Sequence, residues 1–353
     1  MTLLSAVDVP ELKNRDVVRR LVSLGITRME DLVPRVMEER HRRPLEEFLS
    51  VRFTPSTLTR LSNVLPVAGK APHTAFGALI PAGQGPTPLP LPVAGAAPGA
   101  AAKGIGGTPV PFPQTASLPS KVDLSSGFKA VRDQGKDRFT CVAFSVAAAA
   151  EYIEQRQESD DYFSAEHLYW ACKQRDVPPH KALCGTLIGT ASAELPFGLV
   201  HEPAWSYDPR LDPCPDDHAP PPVLMPMQTV KARATRLRNG DLLAVKIALA
   251  AGQPVVGSVV TFSWWSDPAV YSSGTLTAPT PFDLPNGSAH ALCLVGYEDD
   301  ADGSGDGALL IRNSWGSSFG ATGWKAGYGR LPYRYVLGYT GTGPYTIELA
   351  SVS

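Results

Sequence analysis

Apolar positions along the chain begin at helical spacing and switch, two thirds of the way through, to alternation. Val17, Val18, Leu21 and Leu24 recur three and four residues apart until Gly25 interrupts them. Thr27 with Glu30 three residues on has the spacing of a capping box, which predicts a second helix through Leu32, Val33, Val36 and Met37. After Pro44 comes a third apolar set, Leu45, Phe48, Leu49 and Val51. Residues 1–65 are therefore expected to form a small all-α bundle. Residues 66–118 carry Pro, Gly and Ala in place of large apolar groups, so they are expected to be a linker of extended, polyproline character. From residue 119 the pattern is that of a folded domain. The run Ala143 to Arg156 predicts a helix, as do residues 164–176 and 239–252. Strand-like segments follow in PVVGSVVTF, SAHALCLVGYE and GALLIRNSW. A helical half followed by a β-rich half predicts an α+β fold over 119–353, with a cleft between two lobes.

Charge narrows the function classes. With 32 Lys and Arg against 34 Asp and Glu the net charge is −2, which gives no field to attract nucleic acid or a membrane surface. No stretch approaches the roughly 20 apolar residues of a membrane span. Charges begin at Asp8 and no apolar leader precedes them, so a cytoplasmic location is expected. LVSLGITRMEDL (21–32) resembles helix–hairpin–helix modules, some of which grip nucleic-acid backbones. The charge balance instead favours a protein partner, or simple packing, for the 1–65 module. The five cysteines are an odd number, and none shows metal-ligand spacing, so neither a metal nor another cofactor is expected.

Cys141 stands just ahead of the Ala143 run. Helix N-termini carry unpaired N–H groups and positive potential, and both lower a thiol pKa from its usual value near 8.5. A buried thiol filling space is the alternative. A nucleophile also needs a base. Of seven histidines, His41 lies in the bundle, His73 in the linker and His167 within a helix, while His180, His201 and His218 lie in loops. His290 alone begins a strand, where Ala289, Ala291, Cys293 and Val295 alternate with His290, Leu292 and Leu294. Asn313 closes the next strand, where its amide oxygen could orient an imidazole.

With these segments assembled, a family resemblance emerges. QGKDRFTCVAFS resembles the active-site segment of papain-like cysteine proteases, SAHALCLVGYEDD their histidine segment, and LLIRNSWGSSFGATGWKAGYGR their asparagine segment. FSAEHLYWAC is similar to their second helix, ELPFGLVHEPAWSYDP to the passage after it, and AVYSSGTLT to a strand ahead of the histidine. The likeness spans about 119–345. It implies a two-lobed papain-like fold and a cysteine endopeptidase acting on peptide or protein substrates. Under it Cys141 attacks, His290 is the imidazolium partner, Asn313 orients His290, and Gln134 donates to the oxyanion. Gly185 would pair with substrate backbone. Ser288, Ala289 and Ala291 would flank the subsite before the scissile bond, and Trp315 would shield the Asn313–His290 contact.

Several features depart from that pattern. KDRFT makes the Gln134–Cys141 interval one residue longer, it lacks the usual cysteine, and Val142 replaces a tryptophan. Cys184, the expected partner of the missing cysteine, should then be free, and the resemblance pairs Cys172 with Cys214. The family's inhibitory propeptide signature is absent from 1–118, which leaves recruitment, sensing or inhibition by another geometry open. A catalytically silent papain-like protein that binds peptides or protein partners in the same cleft is the alternative function.

Overall fold

The computed structural model describes residues 4, 9–24, 26, 29–37, 39–62, 78, 118–155, 161–178, 180–211, 229–280, 282–283, 285–300, 307–339 and 344–349. The N-terminal module contains four described helices: α1 (Arg15–Ser23), α2 (Met29–Met37), α3 (Glu39–Leu49) and α4 (Pro55–Ser62). Val17, Leu21, Leu32, Val36, Leu45 and Leu49 bury their faces in one cluster, so the helical spacing was informative. Pro44, expected to precede the third helix, lies inside α3. Burial of Leu45 and Leu49 holds the helix through a proline that removes one backbone bond. Gly25 and Thr27, and so the predicted capping box, lie outside the described residues.

This module is seated on the C-terminal lobe. Arg35 Nε donates to Asp283 Oδ2 at 3.0 Å, and its Nη2 donates to Thr277 Oγ1 at 3.0 Å and Ala278 O at 2.9 Å. The guanidinium also lies 5.2 Å from the Trp264 ring centroid. Both charged side chains are buried, so the pair is an anchor rather than a surface contact. Phe48 meets Phe282 beside it, with ring centroids 5.1 Å apart.

The larger domain opens with β1 (Lys121–Asp123), followed by α5 (Cys141–Gln155), α6 (Ala165–Arg175) and α7 (Ile188–Glu194). A small antiparallel pair of β2 (Leu199–Val200) with β3 (Thr229–Val230) and then β4 (Ala232–Arg236) lead to α8 (Leu242–Ala250) and β5 (Val255–Phe262). After α9 (Pro268–Ser273) come β6 (Pro285–Glu298), β7 (Ala308–Arg312), β8 (Tyr328–Pro332), α10 (Tyr333–Tyr339) and β9 (Tyr345–Leu349). The sheet runs β4-β9-β5-β6-β7-β8, with β1 pairing on β6, and every described pairing in it is antiparallel.

β6 separates two cores. Ala289, Ala291, Cys293 and Val295 pack with α5 in one cluster, while Leu292 and Leu294 pack on the other side with α8, Trp265 and Trp315. The period-2 pattern therefore fixed which face His290 occupies. β6 shifts register against β7 between Leu294 and Gly296, and residue 296 is glycine where β1 passes close, because a Cβ there would sit 2.1 Å from Val122 O. The AVYSSGTLT stretch, expected as a strand, instead forms α9. Asp267 caps α9 by accepting from Ala269 N, and Gly274 ends it in a left-handed conformation. Only Thr275 makes a bridge, to Arg330. No helix among the described residues is long and apolar enough to cross a membrane.

Candidate active site

Cys141 is the first residue of α5 and is buried. The sulfur therefore lies at the helix end where free N–H groups concentrate. Ala291 N–H donates to Cys141 Sγ at 3.4 Å, which ties β6 to the start of α5. His290 precedes Ala291 and lies opposite Val259 of β5.

Asn313 follows the end of β7. Its Oδ1 accepts from Ser314 N–H at 2.8 Å and lies 2.8 Å from His290 Nε2. A backbone N–H can only donate, so that atom is the amide oxygen, and His290 Nε2 must carry the proton it shares with it. The tautomer is fixed by this contact, and Nδ1 is left as the nitrogen able to exchange a proton with a sulfur. Trp315 lies 4.8 Å from His290 centroid to centroid, Trp265 presents its edge to the imidazole at 5.8 Å, and Tyr271 stacks on Trp315 at 5.9 Å. His290 and Asn313 are both buried beside this aromatic wall. Trp265 was not foreseen, since a WW pair has no pattern that separates a shield from ordinary core.

Gln134 is buried and joined to the same network. Its N–H donates to Ser314 O at 2.8 Å, its Oε1 accepts from Ser314 Oγ at 2.6 Å, and its Nε2 donates to Arg138 O at 2.6 Å. A primary amide carries two N–H donors on Nε2, so the group that reaches Arg138 O is also of the type that stabilises an oxyanion. Ser314 thus links Gln134 and Asn313, a role with no sequence signal beyond adjacency.

Across the cleft, Gly185 has φ +89°, a conformation that disfavours other residues. Its neighbour Thr186 makes the backbone pairing. Ala78, from the stretch expected to be a linker, bridges Thr186 in parallel and Ala289 in antiparallel, with its N–H donating to Ala289 O at 3.1 Å. Ala78 is buried in the cluster that contains Cys141. The chain therefore places the backbone of Ala78 between Thr186, next to the expected Gly185, and Ala289, one of the residues expected to flank substrate. Ser288, the outermost of the three predicted subsite residues, is half-buried, and its carbonyl accepts from Thr261 Oγ1.

The cysteine expectations need correction. Cys172, expected in a bridge with Cys214, is a free thiol buried on α6, where burial pushes it well above the ordinary thiol range. Cys184, expected free, is disulfide-bonded, and Cys214 lies outside the described residues. Cys172 points into the packed α5–α6 core, so its position serves burial rather than a bridge. Cys293 is likewise free and pushed up to about 12 by burial. Among the described residues no cluster of three or more His, Cys, Asp or Glu could hold a metal ion.

Residues 118–329 match the family profile described as papain family cysteine protease. An uncharacterized peptidase C1-like protein of Acanthamoeba polyphaga mimivirus is 26% identical over 204 residues, which is 56% of this chain and 62% of the viral protein. The match thus spans less than two thirds of that relative's length. The crystal structure of xylellain, a cysteine protease from Xylella fastidiosa, superposes with a TM-score of 0.58 at 21% identity, covering 80% of this chain and 99% of that one. At that identity the likeness establishes the shared fold.

Proposed function

The chain belongs to the papain family of cysteine proteases, and from that premise we propose that it is an endopeptidase whose working residues are Cys141, His290, Asn313 and Gln134. One observation carries the proposal: Asn313 Oδ1 holds His290 Nε2–H at 2.8 Å while the next residue of β6, Ala291, donates to Cys141 Sγ. The exchangeable face of the imidazole and the sulfur then belong to one rigid unit.

The chemistry follows from that unit. Cys141 Sγ, as thiolate, forms a bond to the scissile carbonyl carbon, and the carbonyl π electrons move to oxygen. A Gln134 Nε2–H donates to the oxyanion, as does a backbone N–H at the start of α5. Collapse breaks the C–N bond, and the proton on His290 Nδ1 goes to the departing amine. An acyl-enzyme thioester and a neutral imidazole remain. Water then attacks the thioester and gives its proton to His290 Nδ1; the C–S bond breaks, and thiolate and imidazolium are restored.

Labelling of the full-length chain carrying Ala78→Asp, in which residue 78 should no longer fill the cleft, with a peptidyl epoxide read by mass spectrometry, together with a peptide-library cleavage profile, tests this reading. We expect one adduct, on Cys141, and cleavage at internal bonds. No adduct and no cleavage would make the protein a silent peptide binder, and release of terminal residues alone would make it an exopeptidase. Gln134→Ala should lower kcat about 10²- to 10³-fold with little change in KM, because the oxyanion exists only beyond the ground state. An unchanged kcat would remove Gln134 from the set.

Ala78 adds a second part to the reading. Its pairing with both walls supports a latent form in which the chain fills its own cleft. The partner of the 1–65 module is then the catalytic domain itself, through Arg35 and Asp283.

A further inference from the structure

The family pattern has a cysteine three residues before the nucleophile, and here that position is Arg138. Arg138 is fully buried. Its Nη2 donates to both carboxylate oxygens of Glu166, at 2.9 and 3.1 Å, and its Nη1 donates to Asp208 O at 2.7 Å. The guanidinium lies 4.8 Å from the Tyr207 ring centroid. The carbonyl of the same residue accepts the Gln134 Nε2 bond. An arginine anchored from within the domain thus sets where the Gln134 amide can lie.

Seven residues further along α6, Lys173 is buried too. Its ammonium donates to Asp176 Oδ2 at 3.0 Å and to the carbonyls of His180, Leu183 and Gly185 at 2.9, 2.7 and 3.0 Å. A fixed cation surrounded by loop carbonyls gathers residues 180–185 onto the helix. Tyr169 accepts from Gly185 N–H at 3.2 Å, so Gly185 is held from both ends. Asp176 Oδ1 accepts from Thr186 Oγ1 at 3.1 Å and thereby extends the hold to the residue that pairs with backbone in the cleft.

Glu166, Tyr169 and Lys173 are spaced three and four apart, which places them on one face of α6. We propose that this face is a two-armed clamp that positions both sides of the cleft, taking the place of a disulfide between nucleophile loop and wall. The Glu166–Arg138 arm sets the oxyanion donor Gln134, and the Lys173–Tyr169 arm sets the Gly185–Thr186 wall. The proposal rests on the peptidase reading of Cys141 for its kinetic consequences, and on geometry alone for its structural ones. All four clamp residues act through others and are positioning residues.

The arms should separate in kinetics and in local opening. Kinetics are measured in the full-length chain carrying Ala78→Asp, which expels the chain's own segment from the wall. There Lys173→Met should raise KM about 10-fold with kcat held within about threefold, because wall contacts form already in the ground state. Glu166→Gln should lower kcat about 10-fold with KM little changed. In the full-length chain without Ala78→Asp, hydrogen exchange should speed at least 10-fold in residues 184–187 with Lys173→Met and in residues 134–140 with Glu166→Gln, each sparing the other segment. Tyr169→Phe removes only a hydroxyl; it should raise KM about threefold and loosen 184–187 alone, and it decides the matter if the charge-removing variants do not fold. Exchange that rises in both segments together, or in neither, overturns the clamp. Segregated exchange in a chain that cleaves no peptide leaves the clamp standing and refutes the peptidase reading.

Discussion

Cys141→Ala reduces peptide hydrolysis to background, a fall of about 10⁴-fold or more, and leaves a folded protein. The size follows from what is lost under the proposed mechanism: the group that forms the covalent intermediate, in a unit whose members act together. Survival of the fold follows from the local packing. The side chain is buried at the first turn of α5 among Val142, Ala143 and the small residues of β6, so removing one sulfur costs about 1–2 kcal/mol of packing. Ala291 N–H also loses its acceptor, about 1–3 kcal/mol more. Thermal melting beside the rate assay checks both halves. Hydrolysis persisting above about 1% of the original rate would place the nucleophile elsewhere. Cys172 and Cys293 are poor substitutes, since burial pushes both thiols up and keeps them protonated.

Ala78→Asp raises the rate of peptide hydrolysis by the full-length chain about 10²-fold. Ala78 is 3% exposed, bridged to Thr186 on one side and Ala289 on the other. A carboxylate there would be buried among Cys141, Ala289 and Ala291 at a cost of several kcal/mol. About 3 kcal/mol against the closed arrangement shifts the open population by two decades, at 1.4 kcal/mol per decade. Ala78 itself is held by its N–H bond to Ala289 O and by its parallel bridge to Thr186. Deleting residues 1–118 should act in the same direction. A rate unchanged within twofold in both proteins would show that residue 78 does not limit access.

Where the sequence carried a strict period, the facing of the elements was legible. β6 alternates small residues with His290, Leu292 and Leu294, and the structure sends those two sets into separate cores. The start of α5 was equally legible, because an alanine run after Cys141 leaves few other conformations. What escaped was tertiary. Arg138 and Lys173 look like loop and surface charges in the sequence, and only the fold reveals that Glu166 and a ring of carbonyls receive them. The helical α9 is not legible in AVYSSGTLT because Asp267 and Pro268, a good cap and first-turn residue, lie just ahead of it. The cysteine pairing failed because family spacing does not record which thiol a core has absorbed. Residue 78 sits in a proline-rich stretch with no local preference, and its place depends on two walls that are distant in sequence.

The central claim is that sulfur and imidazole share a proton as an ion pair, and the pH dependence of Cys141 alkylation by iodoacetamide measures it most directly. Followed by mass spectrometry on the full-length chain and its Ala78→Asp form, the rate should rise with a midpoint well below 8.5, the ordinary thiol value. It should show a second step near the imidazole range, since two coupled groups titrate as a pair. In His290→Ala the low-pH reactivity should vanish. A single rise centred at 8.5 or above, unaltered by His290→Ala, would contradict the account.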